Sequence, residues 1–210
     1  MLLAGRGLPA KPVLLTFDDA YCGVAEHALP VLKRYGFSAV IFVVTKQIGG
    51  VNEWERTIGR LGSDGLMTAK QIMEWSHKGI EFGAHSRTHR DLTTLPMHEL
   101  AEEIDGSSKD LCAVIGSRVV SFAYPYGPYN ECVVDSVRSS FDLAFTCDQG
   151  LNYLQTDPHL LRRSMVNPGD LLIDFACRIW FGWSPVNAIR SRLRIRSRFK
   201  RFVVAGFDKV

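Results

Sequence analysis

Short apolar stretches alternate along the chain with longer segments in which apolar residues recur every three or four positions. The short stretches predict buried strands, and the three-to-four-residue spacing predicts amphipathic helices. The predicted strands are 13–17, 38–44, 80–84, 119–123 and 143–146, and the predicted helices are about 25–35, 68–77, 96–115 and 130–139. Strands that alternate with helices favour an α/β fold with a parallel sheet of βα units.

The length of the chain narrows this fold class. At 210 residues it is long enough for one domain with a full core, but shorter than a typical eight-stranded barrel of about 250 residues. We therefore expect a single, TIM-barrel-like domain in which one strand is missing or irregular. Residues 46–66 hold five glycines and are predicted as a long loop with a short helix at 54–58, and long loops in compact domains are often functional.

The composition is that of a folded globular protein, with 46% hydrophobic and 22% charged residues. The five cysteines are odd in number and form no C-x-x-C pair, which argues against a disulfide scaffold or a structural zinc site. No apolar run reaches the roughly 18 residues of a membrane-spanning helix, and the first seven residues are too short and broken for a secretory signal. A cytoplasmic or membrane-surface location is expected, unless a leader has been removed.

The C-terminal end differs from the rest of the chain. Residues 190–201 read RSRLRIRSRFKR and hold seven basic residues and no acid, so that the remainder of the +3 chain carries about −4. The apolar stretch 171–183 before them predicts a last packing helix. An apolar helix beside clustered arginines is suited to peripheral contact with an anionic membrane, and a solvated extension is the alternative. No nucleic-acid partner is expected, because nothing elsewhere resembles a recognition motif.

Two adjacent carboxylates, Asp18 and Asp19, directly follow the first predicted strand. Neighbouring residues on an extended chain point to opposite sides, so the two are expected to do different work. One can bind a cation while the other faces a substrate. The alternative is a helix N-cap, since aspartate is favoured there and a helix follows.

Two histidines four residues apart, His85 and His89, directly follow the third predicted strand. This spacing suits a single metal ion, whereas a lone histidine is more often structural. Two imidazoles and one carboxylate from another strand end would leave coordination positions open, which is typical of catalytic sites.

The stretch 121–127, SFAYPYG, follows the fourth predicted strand, and its Pro125 and Gly127 predict a tight turn. Such a turn can direct a backbone N–H toward a site at the strand ends, while Tyr124 and Tyr126 form a wall facing a sugar. The alternative is an aromatic-rich turn that caps the core.

Taken together, these segments resemble the polysaccharide deacetylase family, the chitooligosaccharide deacetylase homology domain of carbohydrate esterase family four. The resemblance covers about residues 11–167. It rests on five stretches, of which the first two are specific and the last two are weak: TFDDA (16–20), HSRTH (85–89), FAYPYG (122–127), LAFTCDQG (143–150) and LLRRSMV (160–166). It implies a distorted (β/α)7 barrel, in agreement with the predicted element order.

The resemblance also implies roles for individual residues. Asp18 is similar to the family's catalytic base, and Asp19, His85 and His89 are similar to its ligands for a divalent metal. Zinc is favoured, with cobalt, manganese and nickel as alternatives. The backbone N–H of Tyr126 is similar to its oxyanion donor. The implied activity is removal of N-acetyl groups from N-acetylhexosamine units of an oligosaccharide, polysaccharide or lipid-linked glycan.

Two features depart from the family pattern. Many members carry an arginine at the position of Ala123 that orients the catalytic aspartate, and here Arg163 or Arg162 is expected to supply that charge, with Arg163 favoured. A late histidine that serves as general acid is absent, and His159 stands out of register with it. Asp18 or solvent would then protonate the leaving amine. Two alternatives therefore stay open: hydrolysis of another small amide, and an inactive carbohydrate- or membrane-binding module.

Further contacts with a carbohydrate substrate are predicted from position. Trp54 lies in the long loop, Asp148 follows the fifth strand, and Tyr124, Pro125 and Tyr126 form the third motif. The predicted domain organisation is a catalytic domain over 11–167, an apolar packing segment over 168–189 and a basic tail over 190–210.

Overall fold

The computed structural model describes residues 12–54, 64–167 and 169–184. The chain divides into two compact units. Of the described residues, the first unit holds 12–54, 64–147 and 155–161, and the second holds 148–154, 162–167 and 169–184. The predicted boundaries at residues 167 and 189 stay predictions.

The first unit contains a five-stranded parallel sheet. Its strands are β1 (Thr16–Phe17), β2 (Val40–Val43), β3 (Glu81–Ala84), β4 (Ser121–Ala123) and β5 (Leu143–Phe145). Their order in the sheet is the order in the chain, β1-β2-β3-β4-β5, and every pair is parallel. This sequential winding is that of a βα barrel, since a doubly wound sheet reverses its strand order part-way. The α/β prediction is confirmed.

Helices follow the strands as predicted. They are α1 (Leu29–Arg34), α2 (Ala69–His77), α3 (Met97–Ile115) and α4 (Glu131–Ser140), with α5 (Leu172–Phe181) in the second unit. The prediction of one helix over 25–35 is wrong in detail, because a π-helical turn at Val24–Ala28 precedes α1. Pro30 explains the change: it has no N–H to continue the hydrogen bonds of the preceding turn and is tolerated only near a helix start.

Local capping sets the ends of the helices. The Thr68 hydroxyl accepts a hydrogen bond from the Gln71 N–H at 3.3 Å, and the Gln71 side chain accepts one from the Thr68 N–H at 2.9 Å. This reciprocal pair fixes the start of α2 where the sequence predicted it. At the start of α4 the Asn130 side chain accepts from the Val133 N–H, and Gly116 ends α3 in the left-handed conformation.

The core lies on both faces of the sheet. Alternate residues of β2, Ile41 and Val43, belong to a large apolar cluster with residues of the helices, including Ile104 of α3. The intervening Val40 and Phe42 belong to a separate cluster with Ala123 and Phe145. This period of two, with both faces buried, is typical of strands in a parallel barrel.

In the second unit, α5 confirms the helix predicted within 171–183. Its polar side chains are buried: the Ser184 hydroxyl donates to Asp174 at 2.6 Å, and Arg178 donates to Asp170 at 2.5 Å. Among the described residues no helix is long and apolar enough to cross a membrane. The basic run 190–201 and most of the predicted helix 54–58 lie outside the described residues, so the predicted membrane contact has no support from the structure.

Candidate metal centre and active site

The loops after β1 and β3 bring three predicted metal ligands together. Asp19 Oδ1 lies 3.7 Å from His85 Nε2 and 3.4 Å from His89 Nε2. One ligand atom from each residue lies within 4.8 Å of the others. Ligand atoms about 2.0–2.2 Å from one tetrahedral cation are separated by roughly 3.3–3.6 Å. The two distances from Asp19 to the histidines are close to this separation, so the three residues can hold a single divalent cation.

His85 is oriented by the strand next to it. Its Nδ1 donates to the Ala123 carbonyl at 2.7 Å, and the side chain is almost completely buried. A carbonyl only accepts, so Nδ1 carries a proton, and Nε2 is the ring nitrogen that faces Asp19. Ala123, the position that lacks the family's arginine, thus supports the metal site through its backbone.

His89 is held neutral by its surroundings. The pKa of His89 is lowered to about 3, chiefly by burial and then by the neighbouring His85, while the charge of Asp18 opposes both effects. A neutral imidazole keeps a lone pair for a cation. Two imidazoles and one carboxylate form a donor set that a divalent metal fits.

Backbone strain is concentrated at this site. Within the described ranges, five residues other than glycine have a positive φ, and all lie in the loops after β1, β3 and β4: Asp19 (69°), Ala20 (54°), Ser86 (61°), His89 (60°) and Tyr126 (60°). Such conformations cost about 1–3 kcal/mol each and persist only where the surroundings enforce them. At His89 the Ser86 hydroxyl enforces it by accepting from the His89 N–H at 3.0 Å.

Two aromatic side chains cover the metal ligands. The Trp54 ring stacks on His89 with a centroid distance of 4.7 Å, and the Tyr126 ring meets His89 edge-on at 4.4 Å. Beside them is a cleft of about 390 Å³, within the usual size range of ligand pockets. Its lining is mostly polar: Gln47, Glu53, Trp54, Thr88, His89, Arg90, Asp91, Thr94 and Tyr126. Trp54 and Tyr126 thus line a cleft that can hold a hydroxyl-rich ligand.

Tyr124 and Pro125 differ from expectation, since both are buried. The Tyr124 side chain is 0% exposed, its hydroxyl donates to the His159 carbonyl at 2.9 Å, and burial raises its pKa. Its ring belongs to the core cluster. The prediction that its side chain forms a sugar-facing wall is corrected: the hydroxyl has a buried partner, which leaves Tyr126 as the exposed tyrosine of the pair.

The remaining predicted site residues belong to different units of the structure. Asp18 directly follows β1, is half-buried and acts electrostatically on His89. Asp148 and Arg163 belong to the second unit, where the Arg163 N–H donates to the Asp148 carbonyl at 2.9 Å. Their roles at the site stay predictions.

His159 is a buried structural residue. Its Nε2 lies 2.9 Å from the Phe141 carbonyl and its Nδ1 lies 3.3 Å from Arg138. The carbonyl requires the ring proton on Nε2, so both nitrogens are occupied. His159 therefore does not replace the missing general acid.

Sequence reasoning missed the residues that hold the β3 loop. Glu103 and Asp110 of α3 bind the loop through its backbone and through Arg87. The available signal was Gly106, a glycine in the interior of a predicted helix, where it is unfavourable without a packing reason.

The combination of a sequentially wound parallel sheet and an Asp-His-His cluster at its carboxyl edge defines the class of protein. The chain matches the family model described as "Polysaccharide deacetylase" over residues 5–140. It belongs to the polysaccharide deacetylase family.

Relatives and solved structures agree with this assignment. YxkH of Bacillus subtilis is 28% identical over 170 residues, covering 80% of this chain and 56% of YxkH. Poly-beta-1,6-N-acetyl-D-glucosamine N-deacetylase of Staphylococcus epidermidis is 27% identical, covering 76% of this chain and 56% of that protein. The structure of Streptococcus pyogenes deacetylase PplD in complex with acetate is 27% identical with a TM-score of 0.67, covering 80% of this chain and 70% of that one.

The predicted fold, a (β/α)7-type barrel, is confirmed by these structural neighbours. The chain spans about half the length of the curated relatives it matches.

Proposed function

We propose that this protein is a metal-dependent hydrolase that removes N-acetyl groups from N-acetylhexosamine units of an oligosaccharide, polysaccharide or lipid-linked glycan. The observation that carries the proposal is the Asp19–His85–His89 cluster, with Asp18 beside it and a polar cleft against it. Similarity to a poly-beta-1,6-N-acetyl-D-glucosamine N-deacetylase and to a deacetylase bound to acetate supports the substrate class.

Asp19, His85 and His89 would hold the metal ion, for which zinc is favoured. A divalent cation held there supplies Lewis acidity, which polarises an amide carbonyl and makes water acidic at neutral pH. The protein contributes a set of ligands that are already oriented. His85 is oriented by the Ala123 carbonyl, and His89 is kept neutral by burial, so His89 need not lose a proton before it binds.

Asp18 is the proposed general base. It stands next to Asp19 in the chain and is partly accessible, so that one carboxylate binds the cation while the other faces the water. Asp18 takes a proton from that water as oxygen attacks the acetyl carbon, a contribution of about 10²–10⁴ in rate.

The backbone N–H of Tyr126 is the proposed donor to the oxyanion. Tyr126 has a φ of 60° in the turn after β4, and its ring contacts His89, which supports this role. A backbone donor in such a position stabilises the developing negative charge, and loss of one costs about 3 kcal/mol.

Departure of the amine requires a proton. Because both nitrogens of His159 are occupied by structural contacts, we assign that proton to Asp18, which returns it to the sugar nitrogen as the C–N bond breaks. Acetate and a free amine result. Arg163 stays the predicted substitute for the arginine absent at Ala123.

The direct test is acetate release from N-acetylglucosamine oligomers with added zinc or cobalt. Wild type should release acetate, and Asp18→Asn should lower the rate about 10²–10⁴-fold while metal content is retained. Asp135→Asn, an exposed carboxylate on α4, is the matched control and should keep full activity. Metal binding without acetate release from any glycan tested would overturn the proposal in favour of an inactive binding module.

A further inference from the structure

One stripe of residues along α3 contacts the loop that carries both histidines. Glu102, Glu103, Gly106 and Asp110 recur at intervals of one, three and four residues and therefore lie on one side of the helix. All four meet residues of the loop 85–89. The opposite side of α3 contributes core residues, so the helix has an apolar attachment that is separate from this stripe.

Glu103 binds the loop backbone directly. Its Oε2 accepts from the Arg87 N–H and from the Thr88 N–H, both at 2.9 Å, and its Oε1 accepts from the Thr88 hydroxyl at 2.5 Å. The residue is only 6% exposed. A buried carboxylate is strongly unfavourable unless donors satisfy it, and here three donors come from two consecutive residues between the histidines.

Arg87 forms the second attachment. Its Nε donates to Asp110 at 2.9 Å and its Nη1 donates to Glu102 at 2.6 Å. Gly106 gives it room: a Cβ there would lie 2.5 Å from Arg87 Cδ and 2.9 Å from Nε. Glycine inside a 19-residue helix is explained by this close passage of the arginine.

Asp110 extends the attachment to the loop after β2. It accepts from the Thr45 hydroxyl at 3.0 Å. The backbones of the two loops also meet, since the Thr45 N–H donates to the Ser86 carbonyl at 3.2 Å and the Lys46 N–H donates to the Arg87 carbonyl at 2.9 Å. The loop with the histidines is thus held from the helix and from the neighbouring loop.

We propose that Glu103 and Asp110 are positioning residues that set the His85–His89 loop in its metal-binding conformation before any metal arrives. The left-handed backbone at Ser86 and His89 is costly in isolation, and contacts from α3 add to the hydrogen bond within the loop from the His89 N–H to the Ser86 hydroxyl. This inference rests on the proposed function for its metal ligands, but it concerns the loop in the metal-free protein as well.

The experiment compares cobalt binding and amide exchange in three variants. Glu103→Met keeps the side-chain length and removes every acceptor, Glu103→Gln keeps one acceptor oxygen for the two backbone N–H groups, and Asp110→Asn weakens the hold on Arg87. The matched control is Asp105→Asn, which removes an α3 carboxylate that accepts from Ser140 rather than from the loop. Each purified variant is stripped of metal and titrated with Co²⁺, followed by visible absorption.

We expect Glu103→Met to weaken Co²⁺ binding about 10–100-fold, the usual effect of losing a group that supports metal ligands. Glu103→Gln should recover most of that loss, Asp110→Asn should fall between them, and Asp105→Asn should bind as wild type does. In the metal-free protein, the Arg87 and Thr88 amides should exchange faster in Glu103→Met than in Asp105→Asn.

Unchanged Co²⁺ affinity and unchanged exchange in Glu103→Met, at wild-type secondary structure, would overturn the proposal. If Glu103→Met does not fold, the same two measurements on Glu103→Gln and Asp110→Asn decide, and wild-type values in both would overturn it. Failure of wild type itself to bind Co²⁺ would instead refute the metal site of the proposed function, while amide exchange would still report on the loop.

Discussion

The loop after β3 and the turn after β4 both reach the candidate site, but they are built differently. The first holds two buried histidines, and the hydrogen bonds that it donates to Glu103 and Asp110 attach it to α3. The second is anchored by the buried Tyr124 and then emerges at Tyr126, whose side chain is 46% exposed. The difference is that the predicted metal ligands are held by buried contacts, whereas Tyr126, which lines the cleft, stays exposed.

The largest effect expected from breaking this arrangement is at His85. His85→Ala removes a ligand and should abolish stoichiometric metal binding, with acetate release falling about 10³-fold or more, since the metal contributes several kcal/mol to catalysis. Metal content by mass spectrometry and the acetate assay measure both. His77→Ala, an exposed histidine at the end of α2, is the control. Retention of one metal per chain in His85→Ala would show that the ligand set is wrong.

A smaller effect is expected from a substitution at Gly106. It tests how α3 holds the β3 loop without changing a charged residue. Alanine favours a helix by about 1 kcal/mol, but the new Cβ would collide with Arg87, which Asp110 and Glu102 prevent from moving aside. We expect Gly106→Ala to lower metal affinity about 10-fold with little gain in stability. Cobalt titration and thermal unfolding measure the two quantities.

The matched control for Gly106→Ala is Lys109→Ala, an exposed position on the same helix. The proposed role of the stripe in holding the β3 loop would be contradicted if Gly106→Ala gained the full stability expected from alanine in a helix and still bound cobalt as wild type does.

The part of the candidate site that lines the cleft is tested at Trp54. Trp54→Ala removes a ring that stacks on His89 and lines the cleft, and it should raise KM for an N-acetylglucosamine oligomer about 10-fold, the equivalent of roughly 1.4 kcal/mol of aromatic contact. Trp75→Ala, at a pocket lined by Lys33 and Lys78, is the control for loss of a tryptophan. Equal KM values for both variants would remove Trp54 from the substrate site.

The smallest effect on activity is expected at Tyr124. Tyr124→Phe removes only the hydroxyl that donates to the His159 carbonyl. We expect the free energy of unfolding to fall by about 1 kcal/mol, the usual net value of one hydrogen bond, with KM unchanged. Denaturant unfolding and the acetate assay check this. A raised KM in Tyr124→Phe would restore the substrate contact that burial excludes.

Local sequence features account for the parts of the molecule that were predicted correctly. Thr68 and Asn130 cap helices through partners three residues away, and the strands are short apolar runs, so each can be recognised within a few residues. The metal ligands follow strand ends, and parallel strands bring those ends to one edge of the sheet. The fold and the cluster of Asp19, His85 and His89 were therefore accessible from sequence.

The parts that were missed depend on contacts distant in sequence. Glu103 is 15 residues from Thr88 and Asp110 is 23 from Arg87, and no local pattern pairs them. Tyr124 and Tyr126 belong to the same motif but differ in burial. The backbone turns between them, so that the Tyr124 side chain is buried and the Tyr126 side chain is exposed. Such outcomes follow from tertiary packing, which periodicity does not encode.

The most direct test of the central claim is a titration of metal-free protein with zinc while acetate release from N-acetylglucosamine oligomers is followed. The account predicts no release without metal, and a rate that rises in proportion to added zinc and levels off at one equivalent per chain. Full activity in the stripped protein, or no acetate from any oligomer at any zinc content, would contradict it.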